Sequence, residues 1–164
     1  MVEIKQLNKE DIIIVHLLAQ DIWPVAFKEI LEPDQIEYML EWMYNVQTLQ
    51  EQVQIGHLYY LITVDGQPKG FMGLEPNYPD AGTMRVHKLY VSPKVHGKGL
   101  GKEMLEECIR LSKELNFTSV NLNVNRYNKA VDFYKYMGFE ITKEEDIRIG
   151  KGYWMNDYVM QLAI

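Results

Sequence analysis

The most constraining feature of this sequence is a glycine-rich run, His96-Gly97-Lys98-Gly99-Leu100-Gly101, between a strand-like segment and the start of an amphipathic helix. Glycines at alternate positions leave the backbone N–H groups unobstructed by side chains. The first turn of the helix adds N–H groups without partners and the positive end of the helix dipole. Lys94, Lys98 and Lys102 flank the run, whereas helix starts are usually rich in Ser, Asp or Glu. The pattern predicts a cradle for a bound anion.

The residue patterns around this run predict one mixed α/β domain over residues 1–164. Apolar alternation and turn residues such as Asp65-Gly66 predict strands at 4–7, 58–64, 70–74, 83–91, 119–124, 139–142 and 153–162. Apolar residues three and four apart predict a first helix that Pro24 interrupts or kinks, and further helices at 32–43, 49–55, 100–115 and 129–137. Strands that first pair as hairpins and then alternate with helices indicate a sheet with helices on both faces.

Composition narrows the classes of partner and site. A net charge of −6 argues against non-specific nucleic-acid binding, and no apolar run is long enough to span a bilayer. Cys108 is the only cysteine, which excludes an intrachain disulfide and a Cys-rich zinc site. We expect this thiol to be buried and inert, and the absence of a signal-peptide pattern favours a cytoplasmic protein. No metal site is predicted, because the four histidines are scattered without ligand spacing: His16, His57, His87 and His96.

Two common nucleotide-binding motifs fail at the residues that carry their chemistry. A P-loop would need a glycine and a small hydroxyl residue at the positions occupied by His96 and Glu103. A dinucleotide-binding fingerprint would place its third glycine at position 102, which is a lysine. The anion is therefore not predicted to be a nucleotide held in either of these ways.

The segment Leu89 to Lys102, a strand ending in Val-Ser-Pro and then the glycine run, resembles the Q/R-x-x-G-x-G/A pyrophosphate-binding motif of the GNAT acetyltransferase superfamily. A second segment, Asn128 to Phe139, is similar to that superfamily's later Asn…Ala…Phe-Tyr…Gly-Phe motif. The resemblance covers residues 57–164 well, and residues 8–55 match only as a variable pair of substrate-side helices. His96 departs from the family's Gln or Arg. We expect only a modest effect on cofactor affinity, since backbone N–H groups hold the phosphates.

This resemblance implies a GNAT-type acyltransferase fold, with a central, mostly antiparallel twisted sheet and acetyl-CoA bound across residues 83–139. By matching position, the backbone of Leu89, Tyr90 and Val91 would pair with the pantetheine arm like an added strand. An N–H near Tyr90 or Val91 would hold the developing oxyanion. Asn128 would hydrogen-bond the cofactor beyond the thioester. The pyrophosphate would be held by the amides of the run that follows His96: Gly97, Lys98, Gly99, Leu100, Gly101 and Lys102.

The resemblance also implies the catalytic groups. Tyr134 matches the family tyrosine that protonates the departing CoA thiolate, although an aromatic residue at such a position can also be simple packing. The family's glutamate base corresponds to Arg85, which cannot act as a base. His87 aligns with a catalytic histidine of some relatives and could accept a proton directly or through water. Glu75, at the end of the preceding strand, is the reserve candidate.

The acceptor is expected to be a primary amine of a small molecule or peptide that attacks the thioester directly. Large aromatic residues interleaved with carboxylates suit a cationic amine, although burial of the same rings in the core is the competing interpretation. The alternative function is an acyl-CoA-binding module or sensor with little turnover, and a homodimer through the last strands is plausible by analogy. The predicted substrate-binding residues are Trp23, Phe27, Tyr38, Trp42 and Trp154.

Overall fold

A computed structural model describes residues 1–164 as one seven-stranded sheet with five α-helices. The strands are β1 (Val2–Leu7), β2 (Leu58–Val64), β3 (Gln67–Pro76), β4 (Thr83–Val91), β5 (Ser119–Asn125), β6 (Glu140–Gly150) and β7 (Tyr153–Ala163). The helices are α1 (Ile13–Ala26), α2 (Pro33–Met43), α3 (Val46–Gln54), α4 (Leu100–Glu114) and α5 (Ala130–Tyr136). None of these helices combines the length and the apolar character needed to cross a lipid bilayer.

The sheet order is β1-β2-β3-β4-β5-β7-β6, and every neighbouring pair is antiparallel except β4 and β5. The parallel pair requires a crossover, which α4 supplies. The predicted fold class, a mixed α/β domain with a mostly antiparallel sheet, is confirmed.

Local signals explain where several elements begin and end. Asp65 and Gly66 both have positive φ, 50° and 79°, as a two-residue hairpin turn between β2 and β3 requires. Asn45 caps α3 by accepting a hydrogen bond from the Thr48 amide at 2.9 Å. The helix α1 continues through Pro24 to Ala26. Of the two predicted effects of Pro24, the interruption is therefore wrong: the missing N–H removes a single intrahelical hydrogen bond, and the helix continues for two more residues.

Strand β6 extends eight residues beyond its predicted end at position 142. The added segment contains charged residues at 143–146 and 148, and its side chains are mostly exposed. An edge strand with this composition shows no apolar alternation, so the pattern used for prediction could not detect it.

Two apolar clusters lie on opposite faces of the sheet, which confirms that helices cover both faces. One cluster packs α4 and α5 against residues such as Tyr60 and Ile62 of β2. The other packs α1, α2 and α3 against the alternate residues Tyr59 and Leu61 of the same strand. The face carrying α1–α3 also contacts the far end of the sheet, because the Tyr38 hydroxyl of α2 donates to the Ile149 carbonyl of β6 at 2.6 Å.

Candidate active site

A cleft opens where β4 and β5 part. Their pairing runs only from Thr83–Ser119 to Val86–Leu122, although β4 continues to Val91 and β5 to Asn125. One cause is a bulge: Gly73 pairs with Lys88 and Leu74 pairs with Val86, so His87 is an extra residue in β4. The five residues from His87 to Val91 therefore present a strand edge without a neighbour on the β5 side.

The glycine cradle lies beyond the end of this open edge. Gly97 and Gly99 have φ of 83° and 75°, which L side chains rarely adopt, and Gly99 is the N-cap of α4. The amides of all six residues from Gly97 to Lys102 find no acceptor within the protein, since the first one used is that of Glu103, which donates to Gly99. Six consecutive free N–H groups at a helix start form a site suited to a diphosphate.

His96 has a role that sequence reasoning did not anticipate. Its Nε2 lies 3.1 Å from the Val91 carbonyl, so the protonated nitrogen donates to the end of β4. The side chain is otherwise exposed. At the position where the family pattern has Gln or Arg, this chain thus uses a histidine to tie the cradle to the open edge.

The bulge brings His87 to two other side chains. Its Nε2 lies 2.8 Å from Glu75 Oε1, and the same oxygen lies 3.4 Å from Nε2 of His57. The two imidazole rings are nearly parallel, with centroids 5.2 Å apart. The four histidines are therefore not all scattered, and this corrects the sequence analysis: β2, β3 and β4 are neighbours in the sheet, so residues 12 to 30 positions apart meet.

Both of these histidines are neutral at pH 7. Burial lowers the pKa of His87, and the nearby charges of Lys88 and Arg85 lower it further, while the hydrogen bond to Glu75 opposes them. The pKa of His57 is lowered chiefly by burial. A neutral His87 whose Nε2–H donates to Glu75 keeps a lone pair on Nδ1, and that atom can accept a proton.

Lys88, next to the bulge, is a buried cation that sequence reasoning missed. It is only 5% exposed, and its Nζ donates to the Tyr59 hydroxyl at 2.8 Å and to Gln52 Oε1 at 3.3 Å. The ring centroids of Tyr44 and Tyr59 lie 5.3 and 5.4 Å away, and no carboxylate pairs with the ammonium. Burial lowers its pKa to about 8.

Arg85 joins β4 to β5 through a polar network. Its guanidinium donates to Asn121 Oδ1 at 3.2 Å and to Asn123 Oδ1 at 2.6 Å. Asn123 in turn donates to Glu145 and to Asp157, whose pKa is raised chiefly by burial. The residue at the family's glutamate position is therefore held as a structural cation.

Tyr134 lies in the apolar cluster under α4, only 6% exposed, against Phe133 and Phe139. Burial raises the pKa of its phenol, so the group stays protonated. A Cβ added to Gly101 would lie 3.8 Å from Phe133, which shows that α5 packs on the cradle turn of α4. Tyr134 is thus a packing residue that also carries a neutral phenol.

Asn128 serves the start of α5. Its Oδ1 accepts a hydrogen bond from the Ala130 amide at 2.9 Å. This bond leaves the Nδ2 group for any other partner, including a cofactor.

The predicted substrate-binding aromatics fall into two groups. Trp23 and Phe27 are 2% and 6% exposed and pack on one another and on Tyr90. The structure therefore places them in the core and not on a pocket wall, because α1, which contains Trp23 and ends just before Phe27, turns this face to the sheet. Trp42 and Trp154 are 49% and 44% exposed.

Tyr38 lies on α2, as Trp42 does. Its ring stacks on Trp42 and packs against Tyr153 of β7, the strand that carries Trp154. Gln35 of α2 donates to the Trp154 carbonyl at 2.8 Å. These contacts close α2 onto the β6–β7 hairpin. A groove of about 490 Å³ between α1 and α2 includes none of the predicted site residues.

Comparisons with known proteins agree with this geometry. The sequence model described as the acetyltransferase (GNAT) family matches residues 16–139. A peptidyl-lysine N-acetyltransferase, YjaB of Salmonella typhimurium, is 36% identical over 98 residues, 58% of this chain and 59% of the relative. The chain thus matches about three fifths of that relative's length.

Two further similarities extend over most of the chain. A spermidine N(1)-acetyltransferase of Thermoplasma acidophilum is 26% identical over 85% of the chain and 89% of the relative. The crystal structure of the PaiA N-acetyltransferase of Thermoplasma acidophilum in complex with coenzyme A superimposes with a TM-score of 0.83, at 24% identity, over 100% of this chain and 99% of that one. This likeness shows the fold.

Proposed function

The chain belongs to the acetyltransferase (GNAT) family, and we propose that it transfers the acetyl group of acetyl-CoA directly to a primary amine. The amine nitrogen attacks the thioester carbonyl, the C–N bond forms, and the C–S bond then breaks to release CoA. No acyl-enzyme is needed, because the one thiol, Cys108, is fully buried and burial raises its pKa to about 12.

One observation carries this proposal: the open edge of β4 connects an anion cradle to a histidine–carboxylate pair. The edge from His87 to Val91 spans about 13 Å at the usual strand rise. Its far end leads through the His96 hydrogen bond to the six free amides. Its near end carries His87 on Glu75. A ligand with a diphosphate at one end and a thioester at the other matches this order.

The residues that would bind acetyl-CoA act mainly through backbone groups. The edge at Leu89, Tyr90 and Val91 would take the pantetheine arm, and an N–H near Tyr90 or Val91 would stabilise the oxyanion. The amides of 97–102 would hold the pyrophosphate, and the Nδ2 group of Asn128 would bond the cofactor beyond the thioester. The apolar environment of this edge, beside α4, strengthens such bonds by excluding water.

The proton path follows from two neutral groups. His87 accepts the proton that the amine loses as the C–N bond forms, and Glu75 orients the ring and stabilises the imidazolium. Tyr134 donates its proton to the leaving thiolate, since the phenol is protonated at neutral pH. The amine must arrive neutral or lose its first proton to solvent, because an ammonium has no lone pair.

The acceptor that best suits the cleft is a cationic primary amine, such as a lysine side chain or a polyamine. The relatives named above act on peptidyl lysine and on spermidine. Glu75 pairs with His87 at the open edge of β4, and Glu145 and Asp157 accept hydrogen bonds from Asn123 of the neighbouring strand β5. Trp42 and Trp154 are exposed aromatic residues that could contact a cation. The homodimer and the cytoplasmic setting are further proposals, the first of them testable by light scattering.

A second candidate function is an acyl-CoA-binding module with little turnover. Arg85, fixed between Asn121 and Asn123, favours it because the family's glutamate base is replaced by a held cation. In that case the cradle would bind acetyl-CoA as tightly, and His87 would be a structural residue.

Thiol release from acetyl-CoA across a panel of lysine peptides, polyamines, amino acids and aminoglycosides tests the proposal. We expect turnover with at least one cationic amine. Tyr134→Phe should lower kcat with little change in acetyl-CoA affinity, whereas Tyr136→Phe, a matched change on the exposed side of α5, should not. Tight acetyl-CoA binding by calorimetry without turnover on any amine would favour the binding module, and weak binding would contradict both functions.

A further inference from the structure

Three side chains outside the usual anion and thioester contacts converge at the start of the cleft. His57 precedes β2, Glu75 lies near the end of β3, and His87 is the bulge residue of β4. One donor atom from each lies within 4.8 Å of the other two. Two imidazoles and one carboxylate are a donor set typical of Zn²⁺ and related ions with an open position for water.

The spacing is close to that of a bound ion. Donor atoms at about 2.0–2.1 Å from a tetrahedral metal lie about 3.3 Å apart, and the two distances to Glu75 Oε1 are 3.4 and 2.8 Å. The two imidazole rings are nearly parallel, with centroids 5.2 Å apart, so one ring must turn about its χ2 torsion before both Nε2 lone pairs face a single ion. The three residues are held by neighbouring strands of one sheet, since His57 directly precedes β2 while Glu75 and His87 lie in β3 and β4.

Metal binding requires the N–H proton of each imidazole ring to move from Nε2 to Nδ1, and this move breaks only the contacts with Glu75. In the free protein each Nε2 points at Glu75, while Nδ1 of His57 is buried without a partner. A metal on both Nε2 atoms requires the proton of each neutral ring on Nδ1, which costs His57 no existing partner. Glu75 supplies a negative charge, and the side chains are only partly covered, with exposures of 10% for His57 and 28% for His87.

We propose that His57, Glu75 and His87 bind one borderline divalent ion such as Zn²⁺, and that the bound ion inhibits acetyl transfer. With Nε2 on the metal and the proton on Nδ1, His87 has no lone pair to accept the amine's proton, and Glu75 no longer orients the ring. The binding half of this inference stands on the cluster alone, whereas the inhibitory half rests on the proposed function. Hard ions such as Mg²⁺, which favour oxygen donors and octahedral sites, should not compete.

Metal binding is tested on tag-free protein by Zn²⁺ competition with a chromogenic chelator and by the visible absorption of Co²⁺ in a tetrahedral site. We expect one ion per chain. Loss of even a supporting group costs about 10- to 100-fold in metal affinity, so His57→Gln and Glu75→Gln should each weaken binding by at least about tenfold. His96→Gln, an exposed histidine outside the cluster, should bind as the wild type does. Equal affinity in His57→Gln, or binding of Mg²⁺ at the same site, would overturn the assignment.

Inhibition is tested separately. Zn²⁺ should reduce acetyl transfer by the wild type, a chelator should restore it, and the activity of His57→Gln should resist Zn²⁺. Binding without inhibition would overturn the regulatory half. If no amine is acetylated by the metal-free protein, the proposed function and with it the inhibitory half fail, while the binding measurements still decide the site. Circular dichroism of the two variants checks that each retains the fold.

Discussion

The buried ammonium of Lys88 should make the stability of this protein depend on pH in a way that one substitution removes. The folded-state pKa is about 8, against an ordinary value of 10.5, because burial penalises the charged form. Below pH 8 the lysine is charged in both the folded and the unfolded protein, and the folded protein bears the full cost of burying the charged ammonium. Between pH 8 and 10.5 only the unfolded state holds the proton, so this group's contribution to the free energy of unfolding rises with pH.

The magnitude follows from the shift. A displacement of 2.5 pKa units corresponds to about 3.4 kcal/mol over the full range. Between pH 7.5 and 9.5 the group should contribute a rise of about 2 kcal/mol. Cys108 acts in the opposite direction in this window, because burial raises its pKa to about 12 and only the unfolded thiol ionises. The difference between two variants that share Cys108 therefore isolates the lysine.

The assay is urea denaturation of wild type and Lys88→Met at several values from pH 7.5 to 9.5. Met is a similar length and removes the charge, so the stability of Lys88→Met relative to the wild type should fall by about 2 kcal/mol as the pH rises. The window stops at 9.5 because buried tyrosines such as Tyr59 and Tyr134, with raised pKa values, would destabilise the fold above pH 10. Lys5→Met, at an exposed lysine, is the control. A difference that does not change with pH would refute the reasoning.

Three further experiments test other parts of the structure. His87→Gln should lower kcat by about 10²- to 10⁴-fold, which is the usual contribution of a positioned base. The wild-type kcat should fall only below pH 6.5, since the pKa of His87 is lowered. A variant whose kcat shows the same fall at acidic pH would contradict the assignment of His87 as the base. Gly99→Ala should weaken acetyl-CoA binding in calorimetry, because φ of 75° costs an L residue about 1 kcal/mol and distorts the cradle. Gly66→Ala, at a similar φ in a distant turn, should lower stability and leave that affinity unchanged. Cys108 should resist iodoacetamide until the protein unfolds, since it is fully buried; rapid labelling of native protein would show that α4 opens.

The elements around the cradle were predictable because their signals are local. The glycine run, Pro93 and the apolar spacing of α4 all lie within about two dozen residues, and each independently indicates a strand, a turn or a helix. The turn at Asp65-Gly66 likewise fixes the first hairpin. The alternation from Thr83 to Val91 correctly predicted β4 but not which way its last residues face.

The bulge at His87 explains why the last residues of β4 face the opposite way from the simple alternation. Strict alternation from Met84 and Val86 would place residues 88 and 90 on the α4 face. With His87 inserted, Leu89 and Val91 contact that cluster instead, while Lys88 and Tyr90 turn toward α1 and α3. A one-residue irregularity carries no composition signal here, and so the buried lysine was missed.

The histidine cluster was missed for a similar reason. Regular pairing from the turn at 65–66 would place His57 opposite Leu74, but a shift between Ile62 and Thr63 pairs Leu58 with Leu74 and brings His57 toward Glu75. Register of this kind depends on packing of the whole sheet and is not encoded in the spacing of the three residues. The catalytic and substrate roles themselves remain predictions.

The parting of β4 from β5 has a consequence for how the protein holds together. Strand pairing between the half-sheet β1–β4 and the half-sheet β5–β7 is limited to four residue pairs, extended only by backbone hydrogen bonds from Thr118 and Ser119 to Gly82. A molecule bound along the open edge would contact both half-sheets. Its binding free energy would therefore stabilise their association, and the effect would increase with ligand concentration. Hydrogen exchange across β5 and β7 should therefore slow as the acetyl-CoA concentration rises, because the bound cofactor would hold the two half-sheets together.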